Sequence, residues 1–286
     1  MLFSRNSLHG RESAQHPDSP GHFSKVIPDG KVKTCPGLSS PVNGIIAFMN
    51  LLLLLPDDQL DSGRWHISGR RAVHIRKVLG LTCGATLRAG LLNGPLGEAQ
   101  LLEDDGEQIT LSFSGKSPAP SALPLTLILA LPRPKMLKRI LIDATSLGVK
   151  RIILLNSWKV EKSYWQTPEL HAGLLQEKLL LGLEQAGDTL LPSLELKPRF
   201  KPFVEDELPE ILAGSIALLA HPGDYPDMPT GLSQPVTLAI GPEGGWTEYE
   251  TDLLRDSGFD CHRFGQRILR VETALPALIG RLMQLP

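Results

Sequence analysis

The sequence predicts an α/β protein in which a parallel sheet covered by helices on both faces follows a small β-barrel. Three observations carry this. From Leu125 onward, short apolar runs of strand length alternate with amphipathic helical patterns, the signature of a parallel sheet built from crossover units. Between Leu51 and Phe113 the runs are shorter and are divided by Asn93-Gly94-Pro95 and Asp104-Asp105-Gly106, both turn sequences. Lys116-Ser117-Pro118-Ala119-Pro120-Ser121 separates the two patterns with linker composition.

Taken in order, residues 1 to about 43 are rich in Ser, Gly, Pro and His without periodicity, and are expected to be disordered because they cannot bury enough apolar surface. Strands are expected at Leu51–Leu55, Ala85–Leu92, Gly97–Leu102 and Gln108–Phe113, with a short helix over Ala72–Leu79. After the linker come a buried strand at Leu125–Leu131, a helix over Lys135–Leu147 ended by Gly148, and a strand at Arg151–Leu155. A helix over Glu169–Ala186, a weak strand at Thr189–Leu194, a helix over Val204–Leu212 and strands at Ser215–Ala220 and Pro235–Ile240 continue the alternation. A capped helix, a strand at Phe259–Phe264 and a closing helix from Thr273 with a stripe of Leu275, Leu278, Ile279 and Leu282 complete it.

The chain has 286 residues, of which 42% are hydrophobic and 21% charged, enough for two modest domains. A net charge of -2 excludes a uniformly basic coat for nucleic acid, so any RNA contact must come from a local patch. The candidate lies between Leu60 and Gly90, where Arg64, Arg70, Arg71, Arg76, Lys77 and Arg88 face Asp61 alone, with His66 and His74 in addition. A solvated helix face is the plain alternative. Cys35, Cys83 and Cys261 are odd in number and scattered, which fits a reducing, cytoplasmic setting and neither a disulfide framework nor a zinc site. The apolar run Ile45–Leu55 is shorter than the ~18 residues a membrane-crossing helix needs and reads as a buried first strand.

The chemistry concentrates near the end. Gly241-Pro242-Glu243-Gly244-Gly245-Trp246 follows an apolar strand, so its glycines lie at the strand's carboxyl end, where ligands of parallel sheets gather. Glycine leaves no side chain between backbone amides and a bound molecule, and Pro242 stiffens the turn. Thr247 and Glu250 then form a capping box at a helix start. A second segment, Phe264-Gly265-Gln266-Arg267-Ile268-Leu269-Arg270-Val271-Glu272-Thr273-Ala274, places two arginines and a carboxylate just before an apolar helix, where charges are costly without partners or a task. No Gly-Lys-Ser/Thr follows the glycines, which argues against a nucleotide phosphate loop.

These two segments, in this order, resemble the signatures of the RsmE family of 16S ribosomal RNA uridine-N3 methyltransferases, of the SPOUT class. His74-Ile75-Arg76-Lys77-Val78-Leu79 is similar to a further family motif in its amino-terminal domain. The resemblance implies a PUA-like RNA-binding barrel over 49–116 and a SPOUT methyltransferase domain over 122–286, knotted at its carboxyl end and homodimeric. Met49-Asn50-Leu51 resembles the usual family start, so residues 1–48 are expected to be a disordered extension that translation from Met49 would omit.

The resemblance further implies S-adenosylmethionine as cofactor, no metal, and 16S ribosomal RNA or the small ribosomal subunit as partner. Three loops would wrap the cofactor: Leu219, His221 and Pro222; Ile240, Gly241, Pro242, Glu243, Gly244 and Gly245; and Phe264, Gly265, Ile268, Leu269, Arg270, Thr273 and Ala274. Arg270 would stabilise the uracil anion, and Glu243 or Glu272 would accept the N3 proton, orient a water, or hold Arg270. RNA contacts would fall to Arg64, Arg70, Arg71, His74, Arg76 and Lys77. The sequence departs from the family pattern at Gly80, Ser146, Asn156-Ser157-Trp158 and Asp188, the last reversing the charge of an expected arginine. A non-catalytic RNA-binding or ribosome-assembly protein of the same fold is the competing expectation, and donor binding separates the two.

Overall fold

Two six-stranded sheets organise the chain, each neighbouring its helices in a different way. The computed structural model describes residues 50–284. The expectations for residues 1–48 and for Met49 fall outside them.

The first sheet contains β1 (Leu52–Leu54), β2 (Gln59–Asp61), β3 (Arg64–Ile67), β4 (Thr86–Leu91), β5 (Leu96–Asp104) and β6 (Ile109–Ser117), in the order β1-β4-β5-β6-β3-β2. Only β1 pairs in parallel, with β4; the other pairs are antiparallel. Register shifts in β5, between Leu96 and Gly97 and between Leu101 and Glu103, bend the strand. Helix α1 (Gly69–Lys77) inserts Ala72 and Ile75 among Leu52, Leu54, Ile67, Ala89, Leu101, Ile109 and Leu111. At ~1.5–3 kcal/mol for each fully buried aliphatic side chain, this cluster supplies most of the region's stability. The turn after α1 passes through Gly80 at a φ of +61°, a conformation that an arginine there would adopt only with strain.

The second sheet is parallel throughout and runs β12-β10-β11-β7-β8-β9. Its strands are β7 (Leu123–Ala130), β8 (Val149–Leu155), β9 (Ser193–Lys197), β10 (Ile216–Ala220), β11 (Val236–Ile240) and β12 (Asp260–His262). Every residue of β11 is buried, as a strand covered on both faces requires. Its one hydroxyl, on Thr237, is satisfied by Ser215 at 2.8 Å. Helices α2 (Pro134–Ser146), α3 (Ala172–Ala186), α6 (Glu248–Asp256) and α7 (Val271–Leu282) surround the sheet. The stripe Leu275, Leu278, Ile279 and Leu282 is buried within the chain's own core.

The expected helix over Val204–Leu212 is broken. Phe200–Pro202 forms a short α4, Phe203–Glu207 widens into a π turn, and α5 (Leu208–Leu212) follows. Pro209 has no N–H to continue the ladder, and Leu208 N–H reaches back five residues to the Phe203 carbonyl. The weak strand expected at Thr189–Leu194 lies later, at β9. The backbone from Asp188 to Leu191 is instead tied to the first sheet's β4–β5 turn, through Asn93 N–H to Thr189 O at 2.7 Å and Leu191 N–H to Asn93 Oδ1 at 2.9 Å. Strands β2 and β3 were not expected at all.

Arg70 donates to both Glu184 oxygens at 2.8 and 3.0 Å, and Leu51, Leu53 and Leu96 pack on Leu183, so α1 and β1 are locked to α3. Among the described residues no helix is long and apolar enough to cross a membrane.

Candidate active site

Strands β10, β11 and β12 end side by side, and the loops leaving them enclose a hollow of about 490 Å3. Its walls are His221 to Gly223 after β10, Gly241 to Glu243 with Gly245 and Trp246 after β11, and Arg263 to Val271 after β12, with Ala274 and Leu278 of α7 behind them. The two segments singled out in the sequence therefore meet, and the third expected loop joins them.

The glycine loop is shaped by close approach. A Cβ on Gly241 would sit 3.0 Å from Trp246 Nε1, and Gly245 alone among the loop's three glycines takes a positive φ, +69°. The turn closes with Gly245 N–H on the Pro242 carbonyl at 2.8 Å. Beyond it the capping box forms as the sequence predicts: Thr247 Oγ1 accepts from Glu250 N–H at 3.2 Å, and Glu250 Oε2 accepts from Thr247 N–H at 2.9 Å. Glu250 Oε1 also accepts from Trp158 N–H at 2.7 Å, which joins this helix start to the loop after β8.

Two more residues, absent from the sequence-based set, brace the same loop. Arg133, after β7, donates its backbone N–H to Glu243 Oε1 at 3.1 Å and brings its guanidinium to 3.8 Å of that oxygen. Lys159, after β8, donates to Gly244 O at 2.8 Å and to Trp246 O at 3.4 Å. Both lie just past the carboxyl end of a parallel strand, the position at which a parallel sheet presents its site, and that rule would have found them.

Arg270 occupies the residue before α7, and its side chain is 85% exposed at the wall of the hollow. Its nearest carboxylate, Glu272, stands 3.9 Å away and is 15% exposed, in the first turn of α7 where the helix terminus favours a negative charge. Glu272 does not line the hollow, whereas Glu243 does. Leu219, Gly244 and Thr273 also lie outside the lining: Leu219 is fully buried in β10, and Gly244 faces Lys159.

His221 lines the hollow half-buried, and its imidazole is held below its ordinary pKa because burial strips the charged form of water and Lys159 repels it. His221 Nδ1 and Trp246 Nε1 are both buried without a hydrogen-bond partner among the described residues. Such groups take a partner from outside the chain, a water or a bound molecule. Among the described residues no cluster of His, Cys, Asp or Glu is arranged to hold a metal ion.

The basic stretch differs from its expectation. Arg64 pairs with Asp61, Arg76 with Asp104 at 2.6 Å, and Arg71 with both oxygens of Asp58 at 2.6 Å and with Leu53 O at 2.8 Å. With Arg70 on Glu184, four of the counted arginines are neutralised. Lys77 is exposed and makes no ion pair among the described residues; Arg70, His74 and Lys77 recur on one face of α1. Asp188, in place of an expected arginine, is buried and paired with Lys150 at 2.5 Å, so it is a structural group and not a reversed phosphate contact.

The chain that builds this parallel sheet and its glycine-lined hollow is of the RNA methyltransferase class: residues 119–283 match the family described as "RNA methyltransferase domain". Ribosomal RNA small subunit methyltransferase E of Treponema pallidum is 34% identical over 71% of this chain and 79% of its own length. The chain belongs to the ribosomal RNA small subunit methyltransferase E family. Its fold is shared with a methyltransferase of Legionella pneumophila, solved with S-adenosylmethionine, at TM-score 0.66, 20% identity and coverage of 82% of this chain and 96% of the other. It is shared equally with ribosomal RNA small subunit methyltransferase E of Neisseria gonorrhoeae, bound to S-adenosylmethionine, at TM-score 0.65, 20% identity, 80% and 95% coverage.

Proposed function

We propose that the chain transfers the methyl group of S-adenosylmethionine to N3 of a uridine in small-subunit ribosomal RNA. The observation that carries this is the meeting of three loops at the carboxyl ends of β10, β11 and β12 around one hollow with Arg270 at its wall. The residues present suit the donor. Backbone groups freed by Gly241 and Gly245, and the orphan nitrogens of His221 and Trp246, are available to a polar heterocycle, and Phe264, Ile268, Leu269 and Ala274 supply apolar wall. When bound, this donor supplies an already activated methyl group, so no metal is required of the protein.

The chain's own task is to expose and deprotonate N3. As the proton leaves, charge spreads onto the ring oxygens; Arg270, always protonated, faces that charge and cannot itself be the base. Glu243 is held by Arg133 through Oε1, while Oε2 has no partner among the described residues and can take the proton or orient a water. Glu272 steadies Arg270. Alignment of donor and acceptor contributes the rest.

The first sheet, with its bent β5 and the α1 plug, supports reading 49–116 as a PUA-like barrel that presents Lys77 of α1 to RNA. A knotted SPOUT domain over 122–286 is supported by the β10–β11 connection, which bonds to Arg263 through Pro226 O at 2.9 Å and to the last turn of α7 through Leu232 N–H on Leu282 O at 2.6 Å. A homodimer acting in the cytoplasm completes the proposal. Mass mapping of ribosomal RNA nucleosides from cells lacking the protein tests it: one 3-methyluridine should disappear, and an unchanged map would overturn the assignment.

A further inference from the structure

A second hollow, of about 550 Å3, opens on the same edge of the parallel sheet, over the carboxyl ends of β8 and β9. Trp158 follows β8 and is 85% exposed, an unusual place for the largest apolar side chain; Tyr249 of α6 is also exposed, and Phe200 of α4 lines the hollow with them. Ser157 is 2% exposed, and its Oγ has no hydrogen-bond partner among the described residues although it borders this hollow. Asn156 Oδ1 and Glu250 are engaged: the first accepts from Trp165 Nε1 at 2.8 Å, and both Glu250 oxygens serve backbone N–H groups.

The two hollows share a wall. Phe200 lines the second and Trp246 the first, with ring centroids 6.0 Å apart. At ~4.8 Å per strand, the ends of β8 and β9 lie roughly 14 Å from those of β10 and β11, within the span of one bound RNA strand. We infer that this second hollow binds a nucleobase of the RNA substrate outside the methyl-accepting nucleotide, stacked on Trp158 and hydrogen-bonded at its edge by Ser157. The chemistry selects that occupant. Flat π-faces suit exposed aromatic rings, and an aliphatic side chain would leave the Ser157 hydroxyl unpaired; Lys201, also in the lining, is exposed and pairs with Glu205 at 3.5 Å. Trp158 N–H on Glu250 links this site to the capping box that follows the glycine loop, so an occupied base site also steadies the methyl-donor loop.

The inference rests on the proposed RNA methylation. Steady-state transfer to unmethylated small-subunit RNA tests it, with donor affinity measured by calorimetry on the same preparations. Trp158→Ala should raise KM for RNA about tenfold with kcat and donor affinity within about twofold, Trp158→Phe should restore most of the loss, and Ser157→Ala should raise KM about fivefold. An unchanged KM in Trp158→Ala would overturn the base site while leaving the methyltransferase assignment standing. So would a shift from dimer to monomer in sedimentation of Trp158→Ala, which would give the surface to a second copy of the chain. Folded wild-type protein that binds the donor but methylates no RNA would overturn the proposed function and this inference with it.

Discussion

Arg71 and Arg270 carry the same guanidinium in opposite surroundings. Arg71 is 14% exposed and is held by both oxygens of Asp58 and by the Leu53 carbonyl, so it fastens β1 and the turn after it to α1. Arg270 is 85% exposed, has its nearest carboxylate at 3.9 Å, and stands at the wall of a hollow. The arginine-rich stretch of the amino-terminal sheet looked, by counting, like the place where the chain meets RNA. The fold uses most of that charge for its own assembly and leaves Arg270, proposed to act in the reaction, exposed with only Glu272 near it. Placement, not number, separates a structural arginine from a functional one.

That contrast can be broken by four measurements. Arg270→Ala should reduce single-turnover methyl transfer by about 10²- to 10³-fold, the usual loss for removing one donor aimed at a developing charge, with the melting temperature unchanged. Transfer within twofold of wild type would end its catalytic role. Arg71→Ala should do the reverse, lowering stability to urea by about 3 kcal/mol because Asp58 is left part-buried without its partner, with the folded protein turning over normally.

A smaller effect belongs to His221. Its imidazole pKa is lowered on folding, so the unfolded chain binds the proton more tightly. Its contribution to stability is present above the ordinary value of ~6.5 and is lost as pH falls through the window below it. The melting temperature should therefore drop more steeply between pH 7 and 5 in wild type than in His221→Gln, and parallel curves would contradict the assignment. Smallest of all, Arg64→Ala should leave the melting temperature unmoved, since both Arg64 and Asp61 lie in solvent. A clear loss would mean that exposed pairs on this sheet matter more than the comparison allows.

Local rules made parts of this molecule legible. The buried strand before the glycines and the Thr247–Glu250 capping box follow from residues a few positions apart, whereas the meeting of the two motifs at one edge was expected from the family resemblance. The arginine partners did not follow. Asp58, Asp104 and Glu184 lie 13, 28 and 114 residues from the guanidinium groups they bind, and only the folded chain brings them there. Arg133 and Lys159 stand where the strand-end rule points, but their bonds to the glycine loop depend on where β7 and β8 end relative to β11. Strands β2 and β3 were missed because each is short and carries charged residues, and the helix after β9 was read through Pro209, which breaks it.

The central claim is that bare backbone around Gly241 to Gly245 grips a methyl donor. Calorimetric titration of the protein with S-adenosylmethionine, beside Gly245→Val, tests it most directly. Valine is strained at a φ of +69°, so the variant should stay folded by circular dichroism and lose donor binding, while wild type binds about one donor per chain. Wild type that takes up no donor, or a folded Gly245→Val that binds it equally well, would contradict the account.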